Sequence, residues 1–166
     1  MKIATLVFIL LISVQAHAQD VIVLEALSFE KYTNIEGYVP AYQDVKKKAL
    51  AIKAGNKNYR DQYAAAQTTF NGKTGKYAIT LVTLLEEDGE STYKVKVGNQ
   101  YVGGTIKNAE SEKNNVKQRN TLPSKVKVKN GDIIQVEFMA VTNGKIPEGE
   151  GTAYARGRWT QLELTP

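Results

Sequence analysis

The chain has 166 residues, no cysteine, one histidine and a formal net charge of +5. That length suits one domain with an ordinary core and is short for two. Disulfides are excluded, and with no basic run longer than Lys46-Lys47-Lys48 the positive excess makes no case for nucleic acid.

Met1-Lys2 is a short positive start, residues 3–14 are an almost unbroken apolar run, and Ala16-His17-Ala18 is a small-x-small cleavage site. Together they predict a secretory signal peptide over residues 1–18, cut after Ala18, and export to the periplasm or the medium. The run falls short of the ~20 apolar residues of a membrane-spanning helix, so no membrane span is expected. His17 leaves with the leader, and the mature domain, residues 19–166, has neither His nor Cys. Ser-His-Asp and Cys-His catalysis and His/Cys metal sites are therefore excluded. Oxygen-ligand chemistry, paired carboxylates and surface recognition by aromatic and basic groups remain.

Beyond residue 20 the hydrophobic pattern has period 2. Strands are predicted at 21–28, 45–53 and 64–70, while the Tyr-rich segment 30–44 shows no alternation. The turn cluster Asn71-Gly72-Lys73-Thr74-Gly75 opens a strand over 76–85 that is apolar on nearly both sides, the mark of a central strand. Asp88-Gly89 turns into 92–97, where Tyr93, Val95 and Val97 face in and Thr92, Lys94 and Lys96 face out, and Gly98-Asn99 turns into 101–106. Residues 107–120 have little to bury and read as a surface loop. Val126 and Val128, then Ile134, Val136, Phe138 and Ala140, supply further core positions; 142–152 is a Gly-rich loop, and the last strand runs over about 154–164. Short strands between turn signals predict an all-β antiparallel β-sandwich, residues 19–166 forming one domain.

Three parts of this pattern resemble known motifs in the right order. Val23-Leu24-Glu25-Ala26 resembles the "EAE"-type opening of carbohydrate-binding modules with the galactose-binding-like jelly-roll sandwich. Gly75-Lys76-Tyr77-Ala78-Ile79-Thr80-Leu81, with the hairpin of residues 88–99, is similar to their central strand and hairpin. Residues 128–138 and 155–164 are similar to their closing strands. The resemblance implies a non-catalytic module that binds a polysaccharide or oligosaccharide through loop aromatics, in company with glycan-degrading enzymes. It also implies a structural Ca²⁺, held by the opening Glu, loop carbonyls and an Asp of the terminal strand. Glu25 matches the first ligand, but Thr160 stands where that Asp would be, so the second carboxylate is missing. The fold itself requires no cofactor.

Candidate contacts follow from residue type. Leu162 and Leu164 set the core face of the last strand, which turns Trp159 outward with its flat indole available to stack on a sugar ring. Nine tyrosines against four phenylalanines favour rings with a wet polar tip, and Tyr59 and Tyr101 are the favoured contacts. Arg156 and Arg158 flank the tryptophan and could grip carboxylate or sulfate groups. Glu86, Glu87, Asp88 and Glu90 gather at a turn expected to be solvated, with a spacing that matches no EF-hand loop. The expected function is non-catalytic recognition of a polysaccharide, acidic groups included, by aromatic stacking. The alternatives are an envelope or adhesion module that contacts protein, and a small polysaccharide lyase or hydrolase, for which no pair of carboxylates stands out.

Overall fold

The computed structural model describes residues 20–166, so the expected signal peptide of residues 1–18 and Gln19 lie outside the described residues. Its strands are β1 (Ile22–Glu25), β2 (Ala41–Asp44), β3 (Ala49–Ile52), β4 (Tyr63–Thr69), β5 (Gly75–Leu85), β6 (Thr92–Val97), β7 (Gln100–Lys107), β8 (Val116–Thr121), β9 (Val126–Val128), β10 (Ile133–Met139), β11 (Pro147–Glu148), β12 (Gly151–Thr152) and β13 (Trp159–Thr165). A seven-stranded sheet has the order β2-β3-β13-β5-β8, with β1 beside β13 and β9 beside β5. A four-stranded sheet has the order β4-β10-β6-β7, and β11 and β12 form a separate ribbon. The named pairings are antiparallel throughout, as the short strands and tight turns require.

The two sheets enclose one core. Ile79, Leu81, Leu162 and Leu164 come from the larger sheet, Val95, Ile134, Val136 and Phe138 from the smaller, and all are fully buried. Their alternation with polar neighbours sets which face of each strand turns inward. The apolar strand β5 is interior, between β13 and β8, in keeping with its burial on both sides. β6 turns Tyr93, Val95 and Val97 inward as its pattern requires.

Residues 26–28 form a 3₁₀ turn rather than the end of the first strand, and three larger departures from the sequence pattern shape the sheets. The segment without alternation holds β2, whose hairpin with β3 turns through a single 3₁₀ turn, Val45–Lys47, so residues 45–53 are not one strand. Residues 107–120 are not wholly a surface loop: β8 pairs along β5 as the edge of the larger sheet, where a strand wet on both sides needs no apolar alternation. Asn108, next to that segment's start, is buried, accepting from Thr83 (2.6 Å) and donating to the Leu84 carbonyl (2.9 Å).

The third departure governs the site. Trp159 pairs with Thr83 while Gln161 pairs with Val82, so β13 carries one extra residue at Thr160. Such a bulge reverses the side-chain parity of the strand. Gly157, at φ +63° and with its α-carbon facing the Met139 backbone, lets the chain enter β13 at the angle this requires. Trp159, expected outside, is therefore 0 % exposed. Its indole meets Phe29 edge-on with ring centroids 4.8 Å apart, and Phe138 at 6.1 Å.

Candidate functional site

The residues expected to bind a ligand do not gather in one place. Trp159 is a core residue, so it is not available for stacking. Arg158 is also withdrawn. Its Nε donates to Asp44 (2.9 Å), its Nη1 is paired with Glu86, and the side chain is only 13 % exposed. The Glu86 carboxylate is 3 % exposed and also accepts the backbone N–H of Arg156 (2.9 Å). Burial pushes the Glu86 carboxyl above its ordinary range, with the Arg158 charge opposing. The same carboxyl charge, with the bond to Asp44, drives the Arg158 guanidinium up against the opposite pull of burial.

The acidic turn expected in solvent is thus folded inward. Gly89 lies so close to the Val141 carbonyl that a side chain there would collide with it, and Asn143 ties the turn down through the Asp88 and Glu87 carbonyls.

Tyr59 packs against the core from a 3₁₀ turn rather than standing in solvent. Arg156 is exposed and donates to the Tyr42 hydroxyl at 3.3 Å, beside a groove of about 480 Å³ lined by Tyr42, Lys53, Ala54, Gly55 and Asn56. Glu25 is exposed, while the Thr160 hydroxyl is committed to the Val82 carbonyl at 3.3 Å. Calcium takes about six to eight oxygen ligands. One exposed carboxylate and a spent hydroxyl do not fit it, and among the described residues no group of three acidic, His or Cys side chains could hold a metal.

Tyr101 alone of the five expected contacts is an exposed ring, at 54 %. It stands on the outer face of the four-stranded sheet, and the residues around it follow from the register. Gln135 on β10 lies opposite Gln67 on β4 and Lys96 on β6, and Lys96 lies opposite Tyr101 on β7. One step along, Glu137 lies between Ala65 and Lys94; one further, Met139 lies between Tyr63 and Thr92. The strand alternation that sends Ile134, Val136 and Phe138 into the core sends Gln135 and Glu137 to this outer face.

Glu137 is nevertheless only 2 % exposed, because other side chains close over it. Tyr38 arrives from beyond one edge of the sheet, where Val39 hydrogen-bonds to the Tyr63 carbonyl, and donates to Glu137 Oε1 at 2.6 Å. Tyr101 arrives from β7 at the other edge and donates to both carboxylate oxygens, at 2.9 and 3.1 Å. Lys96 Nζ lies 3.0 Å from Oε1, and Gln135 Nε2 donates to it at 2.8 Å. Burial pushes the Glu137 carboxyl up, but the bonds from Tyr38, Lys96 and Tyr101 outweigh it and hold the group below its ordinary range. Lys96 behaves as the partner should: burial pulls it down, and the Glu137 bond carries it well above the usual lysine range.

Above this buried anion the face is cationic and aromatic. Lys94 Nζ sits 4.4 Å from the Tyr63 ring centre and 5.7 Å from that of Tyr101, and Lys96 Nζ sits 4.4 Å from the Tyr101 ring. Beside the tyrosines runs a depression of about 300 Å³ lined by Gln67, Gln135, Lys96, Asn99 and Ile133. Amides, ammonium groups and a ring beside an exposed aliphatic side chain make a surface that can hydrogen-bond hydroxyl groups and cover C–H faces together.

Of this cluster, Lys94 and Lys96 are legible as outward residues from the alternation of β6, and Gln135 and Glu137 share the outward parity of β10. Tyr38 carries no such signal, because its segment has no period.

No known sequence family matches the chain, and no curated protein does. Solved structures do resemble it. The C-terminal CBM6 of LamC, a marine laminarinase from Zobellia galactanivorans, is 7% identical with a TM-score of 0.51, the match covering 89% of this chain and all (100%) of that one. The insecticidal crystal protein Cry2Aa is 11% identical with a TM-score of 0.55, covering 88% of this chain and 21% of that one. An exo-β-1,3-galactanase from Phanerochaete chrysosporium, solved with galactose, is 11% identical with a TM-score of 0.50, covering 88% and 29%. The chain has the β-sandwich fold of a carbohydrate-binding module.

Proposed function

We propose that the protein is an exported, non-catalytic glycan-binding module whose contact surface is the outer face of the four-stranded sheet. The observation that carries this reading is Tyr101, an exposed ring set with Lys94 and Lys96 beside a trough lined by Gln67, Asn99 and Gln135. The ring supplies a stacking surface for a sugar; the Gln135 amide is spent on Glu137, Tyr38 and Gln67, so Gln67 Oε1 and the Asn99 amide are the groups left for its hydroxyls. Lys94 makes ring contacts but no ion pair among the described residues, so it is the group that would receive a uronate carboxylate or a sulfate. An acidic polysaccharide is accordingly the preferred ligand class. The signal-like leader supports export, and the fold supports a binding rather than a catalytic role.

Non-catalysis also agrees with the chemistry of the face. A glycosidase needs a carboxylic acid kept protonated to donate to the leaving oxygen. Glu137, held ionised by its donors, is the opposite of that group.

Affinity electrophoresis through gels containing polygalacturonate, alginate, glucuronoxylan or neutral laminarin tests the proposal. Retardation by an acidic gel that is lost in Tyr101→Ala and weakened in Lys94→Ala is the expected result. Unretarded migration of the wild type in every gel contradicts it.

A further inference from the structure

Glu137 lies too deep to touch a ligand, yet Tyr38, Lys96, Tyr101 and Gln135 all converge on it. From that geometry we infer that Glu137 is the positioning residue of the sheet face, accepting the hydrogen bond of the Tyr101 hydroxyl so that the Tyr101 oxygen meets a glycan as a hydrogen-bond acceptor. The inference rests on the glycan reading above and adds to it the polarity of one contact.

The two tyrosines that meet at this carboxylate are not equivalent. Tyr38 donates to Glu137 and accepts from both Gln135 Nε2 (3.1 Å) and Lys96 Nζ (3.4 Å). A phenol has one proton and two lone pairs, so Tyr38 is saturated and acts as an internal brace. Tyr101 donates to Glu137, has the Lys96 ammonium as its other hydrogen-bonding neighbour, and keeps an exposed ring, so one lone pair of its oxygen is left for a ligand. Its oxygen therefore offers a lone pair only. A sugar hydroxyl can donate to it, whereas an ether, a carboxylate or a fluorine in the same place would set acceptor against acceptor. Acidic substituents are steered away from that oxygen and toward the ammonium of Lys94.

The groups facing Glu137 are Tyr38 from the segment beside β4, Ala65 on β4, Gln135 on its own strand, Lys94 and Lys96 on β6, and Tyr101 on β7. Lys96 is the only one of them within ion-pair distance of it. Losing the carboxylate charge would leave four donors, Tyr38, Tyr101, Gln135 and Lys96, with a weaker common acceptor and free the Tyr101 hydroxyl to rotate.

The test compares wild type with Glu137→Gln and with Tyr101→Phe, which keeps the ring and removes the oxygen. Two readouts are used: calorimetric titration with hexagalacturonate and with xylohexaose, and ultraviolet titration of phenol ionisation without ligand. The inference predicts that both variants bind the better probe about tenfold or more weakly than wild type. It also predicts that the Tyr38 phenol ionises at lower pH in Glu137→Gln, since burial and then the neighbouring Glu137 anion hold it up in the wild type. Unchanged affinity in Tyr101→Phe, or an unchanged phenol titration in Glu137→Gln, overturns it. If the wild type binds neither probe, the glycan reading fails, while the Tyr38 titration still decides whether Glu137 is the charged acceptor at the centre of the face. If Glu137→Gln does not fold, Tyr101→Phe alone decides on affinity.

Discussion

Trp159 and Leu162 stand three residues apart on β13 and point into the same core, an arrangement that an unbroken strand forbids. The bulge at Thr160 reconciles them. It converts the one tryptophan of the chain from a surface ring into the keystone between Phe29 and Phe138. The consequence for function is direct, because an aromatic that stacks on a sugar must be found elsewhere.

Trp159→Ala should destabilise the fold by about 3–5 kcal/mol through loss of burial and the cavity left behind. Trp159→Phe, which stays apolar, should leave glycan affinity of the folded protein unchanged. Urea unfolding gives the first and titration of the second variant gives the other. A stable Trp159→Ala protein with lost binding would restore the tryptophan to the surface.

Neighbouring arginines should behave differently. Arg158→Met strands Glu86 and Asp44 with one partner removed, and breaking a buried pair from one side costs about 3–5 kcal/mol. Arg156→Met removes an exposed guanidinium and should fall within about 0.5 kcal/mol of wild type. Equal midpoints for the two variants in the same denaturant series would contradict the assignment of Arg158 to the interior.

The two buried carboxylates predict opposite responses to acid. Glu137 titrates below its ordinary range in the fold, so the stability it contributes is present at neutral pH and is lost as pH falls through its folded pKa. Glu86 titrates above its ordinary range, so its contribution is largest in acid and is lost as pH rises through its folded pKa. Between neutral pH and about pH 3, Glu137→Gln should lose less stability than wild type and Glu86→Gln should lose more. Parallel stability curves for the three proteins would show that these carboxyls titrate alike in the folded and unfolded chain.

Gly89→Ala should cost about 1–3 kcal/mol, because the added carbon meets the Val141 carbonyl of the facing segment. Thermal melts of this variant beside wild type check it, and an unchanged midpoint would mean that the turn can move away.

The strands of the smaller sheet were legible in the sequence because their period-2 patterns are clean. β6 puts its apolar residues on one side only, which also marks Lys94 and Lys96 as outward, while β10 shows its core face through Ile134, Val136 and Phe138. β8 was hidden because an edge strand has no buried face to mark it. Trp159 was misplaced because a single extra residue flips every side chain before it, and nothing in Arg158-Trp159-Thr160 announces the bulge. Arg158 and Glu86 looked like surface charges because each is defined by a partner more than 70 residues away. The site shares that difficulty. Tyr38 and Tyr101 come from opposite edges of the sheet and meet only at Glu137, so their joint role lies in the pairing order rather than in any local spacing.

The most direct measurement is nuclear magnetic resonance of the isotope-labelled protein during titration with the acidic glycan that retards it most. The account predicts that shifts concentrate on Gln67, Lys94, Lys96, Tyr101 and Gln135, with the Trp159 indole signal unmoved. Shifts confined to Tyr42, Lys53, Asn56 and Arg156, or a displaced indole signal with a silent four-stranded sheet, would contradict it.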